Sequence, residues 1–442
     1  MLKEVENFVK IFLEKTKDKK IHLVSHFDTD GITSAAIFSR TLERLNKEFT
    51  IKIVKQLDEQ EIKSFPEERI IVLIDLGSNS LKYLSQIKNQ IFIIDHHEII
   101  KKDIPENIGI INPHLLKNYE ELCSAELTYI ISRRISQENR NLSHLAILGM
   151  IGDTMERNIN KLRNEIINDA NVTIKRGLLI YPSTRPIDRA LEFSSRPFIP
   201  GVTGNSQGTY ELLKEAGIER QEKSYPSLID LNEDEMKRLV TAVLLRVSSK
   251  ESKDYIGNLY LVKLFNKIED AREISAIINA CSRMGNPHIA LMLCMGNSDA
   301  KRKAERIYVK YRQHLISALK YIDQNNKIIG KEYVIINARD NVKDTIIGTL
   351  ASILSFSQVY REGTIIVAMA YNEDKIKVST RISGRNPINT RNLKELMESV
   401  ADLLGGEAGG HKNAAGCTIC KEHENKFIEL LKQKLDFELI KV

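Results

Sequence analysis

The chain has 442 residues, of which 42% are hydrophobic and 28% charged, and its formal net charge is +6. These values are typical of a globular protein with room for two or three domains, and they exclude a disordered chain; five cysteines, an odd number, also exclude a disulfide framework. The first residues include acidic side chains and no continuous apolar run, so we expect no signal peptide, no membrane partner and a cytoplasmic location.

The first part of the sequence predicts alternating strands and helices. Strands are predicted at residues 21–24, 51–54, 70–74 and 91–94, and helices at 2–17 and 33–49, the second with Phe38, Leu42, Leu45 and Phe49 on one stripe. The strands are short runs dominated by isoleucine, valine and leucine, as in sheets buried on both faces. This alternation predicts an α/β fold built on a parallel sheet.

Polar side chains follow these strands where each strand ends. His26, Asp28 and Asp30 come after the first strand, Asp75 follows the third, and the run 95–97, Asp-His-His, follows the fourth. Open α/β sheets place their sites at the carboxyl ends of strands, so we expect one shared crevice. The alternating pattern His-x-Asp-x-Asp predicts three side chains on one side of an extended loop.

A further carboxylate, Asp153, ends an apolar helix predicted at residues 142–151. The candidate ligands are then His26, Asp28, Asp30, Asp75, His96 and Asp153, with His97 beside them. Four carboxylates in one crevice repel each other unless divalent cations neutralise them. Mixed imidazole and carboxylate ligands suit two Mn²⁺ ions better than Mg²⁺, a possible substitute. Such a pair supports in-line phosphoryl displacement, which predicts phosphoester hydrolysis.

The remaining chain divides into a middle and a C-terminal region. Residues 180–208 are rich in proline, glycine, serine and arginine, and we predict domains at 1–195, 196–325 and 326–442, the middle one mostly helical. In the last domain, strands are predicted at 333–336, 365–370 and 376–381, and helices at 345–356 and 393–404. Residues 405–416 hold five glycines, which we interpret as a phosphate cradle rather than a flexible turn, with Arg381 and Arg385 nearby.

Together these motifs resemble the DHH phosphoesterase superfamily. The segment 26–31, His-Phe-Asp-Thr-Asp-Gly, resembles its first motif, Asp75 its second, the run 95–97 the motif that names the family, and Gly152-Asp153 its fourth. The run 409–411, Gly-Gly-His, resembles the glycine-rich motif of the DHH-associated domain, and residues 379–383 resemble that domain's Arg/Ser element. The resemblance covers most of the chain and implies a smaller α/β C-terminal domain.

The resemblance also implies roles for individual residues. It implies that His26 and Asp28 bind one Mn²⁺, that Asp30, His96 and Asp153 bind the second, that Asp75 bridges the two, and that His97 faces the scissile phosphate. Substrate contacts are assigned to Arg381, Ser383, Gly409, Gly410, His411 and Asn413. The segment 278–285 resembles an element near the nucleic-acid path of archaeal RecJ-type nucleases, so Arg283 is either a backbone phosphate contact or a helix-end cap.

These features lead to three hypotheses of function. The first is a manganese-dependent exonuclease that digests single-stranded DNA, RNA or both from a strand end in replication or repair. The second is a phosphodiesterase for short oligonucleotides or cyclic dinucleotides, and the third is a replication-fork scaffold that binds the GINS complex, as degenerate relatives do. Such relatives typically lose metal ligands, whereas this sequence has a histidine or aspartate at every ligand position of the motifs, which favours an enzyme. The preferred nucleic acid, the polarity of digestion and the oligomeric state are left open.

Overall fold

The computed structural model describes residues 1–99, 104–116, 120–194, 199–222, 224–247, 255–357, 359–384 and 391–437. The chain forms two compact units, one of residues 1–192 with 204–308 and the other of residues 193–203 with 309–442. The finer division at residues 195 and 325 stays a prediction. In the part of the chain that the structure describes, no helix is both long enough and apolar enough to cross a membrane.

The first unit begins with five strands and the helices that connect them. The strands are β1 (Ile21–His26), β2 (Phe49–Val54), β3 (Ile70–Ile74), β4 (Ile91–Ile94) and β5 (Ile108–Ile111). The helices of this part are α1 (Leu2–Lys15), α2 (Thr29–Arg44), α3 (Glu59–Lys63), α4 (Leu81–Leu84), α5 (Ser124–Ile135), α6 (Ser143–Gly152) and α7 (Lys161–Ala170). The strands pair in parallel in the order β2-β1-β3-β4-β5. The predicted parallel α/β sheet is therefore confirmed.

Alternate residues of the strands enter two separate hydrophobic cores. Val72 and Phe92 pack into the core formed by α1, α2, α5 and α6, whereas Leu73 and Ile93 pack into the core on the other face of the sheet. Both faces are covered, which explains why these strands read as continuous apolar runs. Helix α2 begins earlier than predicted, at Thr29, and Phe49 belongs to β2 rather than to the helix. Thirteen of its sixteen residues are buried.

The rest of the first unit contains a small antiparallel sheet among helices. Its strands are β6 (Thr173–Leu178), β7 (Ile256–Leu264) and β8 (Lys267–Asp270). Its helices are α8 (Ile187–Glu192), α9 (Ser206–Glu215), α10 (Glu233–Leu244), α11 (Ala271–Arg283) and α12 (Pro287–Cys294); α13 (Ser298–Gln324) then carries the chain into the second unit. The predicted middle region is mostly helical as expected, but β7 and β8 were not predicted.

The second unit is built on a mixed six-stranded sheet. Its strands are β9 (Ile328–Ile329), β10 (Tyr333–Asn337), β11 (Ile365–Asn372), β12 (Lys375–Ile382), β13 (Glu407–His411) and β14 (Ala414–Cys420). The order is β13-β14-β12-β11-β10-β9, and only the pair β10–β11 is parallel. Its helices are α14 (Asp344–Phe356), α15 (Leu393–Ala401) and α16 (Glu424–Phe437). The smaller α/β C-terminal domain is thereby confirmed.

Candidate metal centre

Three neighbouring strands of the parallel sheet deliver the predicted ligands to one edge. His26 ends β1, Asp75 follows β3, and His96 and His97 follow β4 after one residue. Because β3 lies between β1 and β4, Asp75 lies between the two groups of histidines. Asp153 approaches from a helix instead, since it is the residue that ends α6.

The turn between β1 and α2 differs from the predicted extended loop. Asp28 is the N-cap of α2, where its Oδ1 accepts a hydrogen bond of 2.9 Å from the backbone N–H of Gly31, and Asp30 already lies in the first helical turn. The first turn of the helix lies directly against the end of β1. A Cβ at position 31 would lie only 2.3 Å from the carbonyl oxygen of His26, so a side chain at this position would clash with the strand. Glycine thus permits the tight turn that brings both carboxylates to the site.

A first group of ligand atoms consists of His26, Asp28 and Asp75. The Nδ1 atom of His26 lies 3.2 Å from Oδ2 of Asp28 and 3.1 Å from Oδ2 of Asp75. One ligand atom from each of the three residues lies within 4.8 Å of the others. This spacing suits a shared cation.

A second group consists of Asp30, His96 and Asp153. The Nε2 atom of His96 lies 3.2 Å from Oδ2 of Asp153 and 3.8 Å from Oδ2 of Asp30. The same nitrogen is 3.5 Å from Oδ1 of Asp75, and Asp75, His96 and His97 form a third group of the same kind. Asp75 therefore belongs to two groups, and the structure brings all seven predicted residues together.

The conformation of Asp75 is unusual for a residue that is not glycine. Its φ is +60°, and its side chain is 1% exposed. Aspartate is among the few residue types that tolerate the left-handed region, and strained backbone of this kind concentrates at functional sites. The Oγ of Ser124 donates a hydrogen bond of 2.9 Å to Oδ1 of Asp75 and fixes the direction of the carboxylate.

The start of α5 supplies contacts that the sequence interpretation missed. The backbone N–H of Ser124 donates to Oδ2 of Asp30 at 2.7 Å, and the N–H of Ala125 donates to Oδ1 at 2.8 Å. Both carboxylate oxygens of Asp30 thus meet the N-terminus of a helix, where free N–H groups and the helix dipole favour negative charge. The available signal was Glu126, three residues after Cys123, whose carboxylate accepts the Cys123 N–H as in a helix start.

Behind α5 lies a buried ion pair. Nε and Nη2 of Arg163 donate to the two carboxylate oxygens of Glu126 at 2.6 and 2.7 Å, and both side chains are almost fully buried. The remaining guanidinium N–H groups of Arg163 reach the carbonyl oxygens of Glu121 at 2.8 Å and Met155 at 3.1 Å. One arginine therefore joins the start of α5 to the loop that follows Asp153.

Asp95 is not among the grouped ligands but holds His97 in place. Its Oδ1 accepts hydrogen bonds from the backbone N–H of His96 at 2.8 Å and from Nδ1 of His97 at 2.7 Å, and its Oδ2 accepts the N–H of Ser78 at 3.0 Å. The His97 ring is 38% exposed, more than any other of the seven side chains. This arrangement leaves Nε2 of His97 facing away from Asp95.

The pKa shifts of the candidate ligands indicate a site that lacks positive charge. Burial and the neighbouring charge of Asp153 raise the pKa of Asp30 to about 7, and burial with the charges of Asp28 and Asp30 raises the pKa of Asp75 well above its ordinary value. Burial alone lowers the pKa of His96, but hydrogen bonding to Asp153 and nearby carboxylates raise it to about 10. These carboxylates resist ionisation and the imidazole keeps its proton because the site lacks positive charge. Divalent cations would supply that charge, and carboxylate and imidazole groups are ligands that such cations accept.

The predicted substrate contacts of the second unit lie on one sheet. Gly409, Gly410 and His411 are on β13, so this glycine-rich stretch is a hairpin strand and not a free loop. Ala414 pairs with both His411 and Arg381, so those two residues lie in one row across three strands. Asn413 lies in the hairpin turn, and Arg385 lies outside the described residues.

The side chains of Arg381, Ser383 and Arg283 are held by protein groups. Arg381 donates from Nε to Oγ of Ser352 at 3.1 Å, and buried Ser383 donates to the carbonyl of Tyr360 at 3.0 Å. Arg283 is the last residue of α11 in the first unit, and its Nε donates to Oδ1 of Asn279 at 3.1 Å. These hydrogen bonds orient the predicted contacts.

Three domain families match successive parts of the chain. Residues 20–152 match the DHH family, N-terminal domain; residues 180–259 match the DHH-CID domain; and residues 330–436 match the DHHA1 domain. An uncharacterised protein of Methanocaldococcus jannaschii is 26% identical over 443 residues, which cover 97% of this chain and 96% of that protein. The first match covers the parallel sheet, the second lies largely in the middle region, and the third covers the mixed sheet of the second unit.

Solved structures of low sequence identity share the fold. CDC45 from Entamoeba histolytica superposes with a TM-score of 0.68 at 13% identity, covering 97% of this chain and 98% of that one. RecJ from Thermus thermophilus, crystallised with Mn²⁺, superposes with a TM-score of 0.61 at 17% identity and covers 98% of this chain. The match covers only 54% of that RecJ chain, so the present chain spans about half its length.

Proposed function

This chain is a member of the DHH phosphoesterase superfamily, and on that premise we propose that it is a manganese-dependent exonuclease of single-stranded DNA, RNA or both. The observation that carries the proposal is the meeting of all seven predicted residues in three groups that overlap at Asp75 and His96. The RecJ of T. thermophilus was crystallised with Mn²⁺ and also with Mg²⁺, which supports Mn²⁺ as the metal here with Mg²⁺ as a substitute. The sharing of Asp75 between two groups of ligands supports two ions.

The grouping of the side chains suggests which residues hold which ion. His26 and Asp28 would hold one ion, Asp30, His96 and Asp153 the other, and Asp75 both. When bound, such a pair supplies an activated water for attack on phosphorus and positive charge for the leaving oxygen. Ser124 and the N–H groups at the start of α5 keep the carboxylates of Asp30 and Asp75 directed at the ions.

His97 is proposed to act on the substrate itself. Asp95 accepts a hydrogen bond from Nδ1 of His97, which fixes the direction of the ring and leaves Nε2 facing outward, where it can donate to a phosphate oxygen when both ring nitrogens carry protons. The exposure of the ring supports this role, because a residue that meets a substrate needs an open face. In the second unit, Arg381, Ser383, His411, Asn413 and the two glycines are proposed to contact the nucleic-acid backbone, as is Arg283 in the first unit.

The experiment is a time course of digestion with Mn²⁺, using single-stranded DNA and RNA of one sequence labelled at either end. Asp75→Asn is a better variant than Asp75→Ala, because asparagine also tolerates the left-handed φ of this position while its charge is gone. We expect stepwise digestion by the wild type and a loss of on the order of 100-fold or more in the variant. Exposed Asp299→Asn is the matched control and should keep full activity.

The remaining outcomes separate the alternatives. Cleavage limited to oligomers of two to five nucleotides or cyclic dinucleotides would replace the exonuclease by a short-substrate phosphodiesterase. No cleavage, with no Mn²⁺ bound in a calorimetric titration, would favour the scaffold, for which the likeness to CDC45 is the supporting observation. A scaffold of this kind would bind the GINS complex through the middle region, residues 196–325. Under either function, as an enzyme or as a scaffold, we propose a role for the protein in DNA replication or repair.

A further inference from the structure

The first unit contains a cavity of about 580 Å³ that the proposed function does not use. It opens where the C-terminal half of α2 faces the start of α6, the β7–β8 hairpin and the end of α12, and its polar lining includes Arg40, Arg44 and Lys263. The rise of an α-helix places Arg44 about 20 Å along α2 from Asp30. The cavity is therefore separate from the candidate metal centre, and its volume lies in the range of small-molecule sites.

Two arginines at the cavity are fixed by protein groups. Nη1 of Arg44 donates to the carbonyl of Glu138 at 2.8 Å and to Oδ1 of Asn139 at 2.7 Å, and its Nη2 donates to Oδ1 of Asn141 at 3.1 Å. Arg40 donates to the carbonyl of Met295 and to Oε2 of Glu43 at 2.8 Å. A guanidinium has five N–H donors, so each arginine keeps donors for a ligand in a preset direction.

The charge of the cavity is positive. Glu43 is its only carboxylate among the described lining residues, and it is shared with Arg40. Lys263 is exposed, and within the described part of the chain it has no hydrogen bond or ion pair. Positive groups that exceed the negative ones, with fixed guanidinium donors, favour a phosphate group, since Arg recognises phosphate through paired N–H donors.

The apolar part of the cavity lining includes an aromatic ring at an unusual backbone position. Phe265 and Asn266 form the two-residue turn of the β7–β8 hairpin, with φ values of +51° and +60°. Such turns favour Asn, Asp or Gly at both positions, and a bulky phenylalanine there is an outlier. Leu142, Leu145 and Leu264 also line the cavity. The ring packs against the core of the first unit, with Nζ of Lys301 5.2 Å from its centroid, and it also lines the cavity, where it offers a surface for a flat apolar body.

His144 adds a hydrogen-bond acceptor. Its Nδ1 lies 2.9 Å from the carbonyl of Asn141, so the ring donates from Nδ1 and presents Nε2 as an acceptor when neutral. Burial lowers the pKa of His144, which favours that neutral form. A ligand for this cavity therefore combines an anionic group, a flat ring and a hydrogen-bond donor such as a hydroxyl or amino group.

We propose that this cavity is a binding site for a nucleoside monophosphate, with the phosphate between Arg40, Arg44 and Lys263 and the base against Phe265. The three parts of such a molecule match the three parts of the lining. The site is independent of the metal-dependent activity, because none of its residues belongs to the candidate metal centre.

The test is calorimetric titration of the full chain in a chelating buffer, which removes the cations that would otherwise attract anionic ligands to the metal centre. The probes are inorganic phosphate, phenyl phosphate and adenosine 5′-monophosphate. We expect weak binding of phosphate, tighter binding of phenyl phosphate because of the ring, and the tightest binding of adenosine 5′-monophosphate.

Two charge reversals on the same hairpin locate the site. Lys263→Glu should weaken binding of adenosine 5′-monophosphate at least tenfold, whereas Lys267→Glu, an equally exposed lysine that does not line the cavity, should change it less than threefold. Neither lysine has a side-chain hydrogen bond or ion pair to the residues that the structure describes, so both variants should melt like the wild type. Binding that is equal in both variants, or no binding of any probe to the wild type, would overturn the proposal.

Discussion

Asp30 illustrates how a buried carboxylate can be well hydrogen-bonded and still resist ionisation. Both of its oxygens accept backbone N–H groups from α5, and its side chain is fully buried. Hydrogen bonds to the charged form lower a carboxyl pKa, but burial and the charge of Asp153 outweigh them here, and the pKa lies near 7. The site is therefore ordered by the protein but balanced in charge only when cations or protons are added.

A second buried carboxylate, Glu273 on α11, predicts a pH dependence of stability. Burial raises its pKa to about 7, and the ion pair with Arg185 does not cancel this because that guanidinium is 57% exposed and screened by water. A raised carboxyl pKa gives stability that is present below the unfolded pKa of about 4.3 and is lost as pH rises to about 7. We expect the free energy of unfolding to fall by about 1–3 kcal/mol over this window from Glu273 alone.

The measurement is urea unfolding of the wild type and Glu273→Gln at pH 5 and pH 8. The variant is neutral at both values, so its loss of stability between them should be smaller than that of the wild type. Exposed Glu67→Gln serves as the control and should follow the wild type. Parallel pH profiles of the wild type and Glu273→Gln would contradict the prediction.

Single residues also mark the limit of what the sequence predicts about the site. The ligand candidates could be found because carboxylates and imidazoles after strands carry a chemical signature. Ser124 and Ala125 hold Asp30 through backbone N–H groups, which every residue except proline has, so no side chain reveals this contact in the sequence. Only the packing of α5 against α2 reveals their contribution.

At the scale of elements, the Glu126–Arg163 ion pair fixes α5 and the loop after α6. Arg163→Met removes the counter-charge of buried Glu126, whose carboxylate then keeps only the N–H of Cys123, and we expect a loss of about 3–5 kcal/mol in the free energy of unfolding. The double variant Arg163→Met with Glu126→Gln removes the lone charge and should recover part of that loss. Urea unfolding checks both; equal stabilities of the single and double variants would show that the charge is not the cause.

The crossing of α6 with α2 and α5 requires a glycine. A Cβ at position 149 would lie 2.4 Å from Cβ of Ala125 and 2.7 Å from Oδ1 of Asp30. Gly149→Ala should therefore cost about 1–3 kcal/mol of stability and weaken Mn²⁺ binding, because Asp30 must move. In α14, the Cβ of Gly348→Ala would lie 3.3 Å from Oγ of Ser379, a close contact that a small shift of the hydroxyl relieves, so this variant should change stability by less than about 1 kcal/mol. Thermal melts and calorimetry with Mn²⁺ compare the pair.

The elements also show why some structure was predictable and some was not. β3 and β4 match their predicted bounds because a strand buried on both faces is an uninterrupted apolar run. α2 was placed too late because its first turn consists of the motif residues, whose polarity resembles a loop. β7 pairs with β6, about eighty residues earlier in the chain, and such a distant pairing leaves no local pattern.

At the scale of the whole molecule, the two units should respond differently to Mn²⁺. All seven candidate ligands lie in the first unit, and the second unit has a hydrophobic core of its own. Mn²⁺ at about 100 times its dissociation constant should stabilise the first unit by about 2.7 kcal/mol. Hydrogen exchange should slow at the ends of β1, β3 and β4 and at the start of α5, with little change in β10–β12. Equal slowing in both units would contradict the assignment of the ligands.

The almost complete burial of α2 has a consequence for how this sequence can vary. An ordinary surface helix accepts substitutions on its solvent face, so tolerance rises and falls with a period of 3.6 residues. From Thr29 to Leu42 only Arg40 escapes burial, and the small side chains of Thr33, Ala35 and Ala36 leave no space for larger ones. Tolerance to substitution along α2 should therefore be low at nearly every position. It should not rise and fall with the helical period as it does in a surface helix.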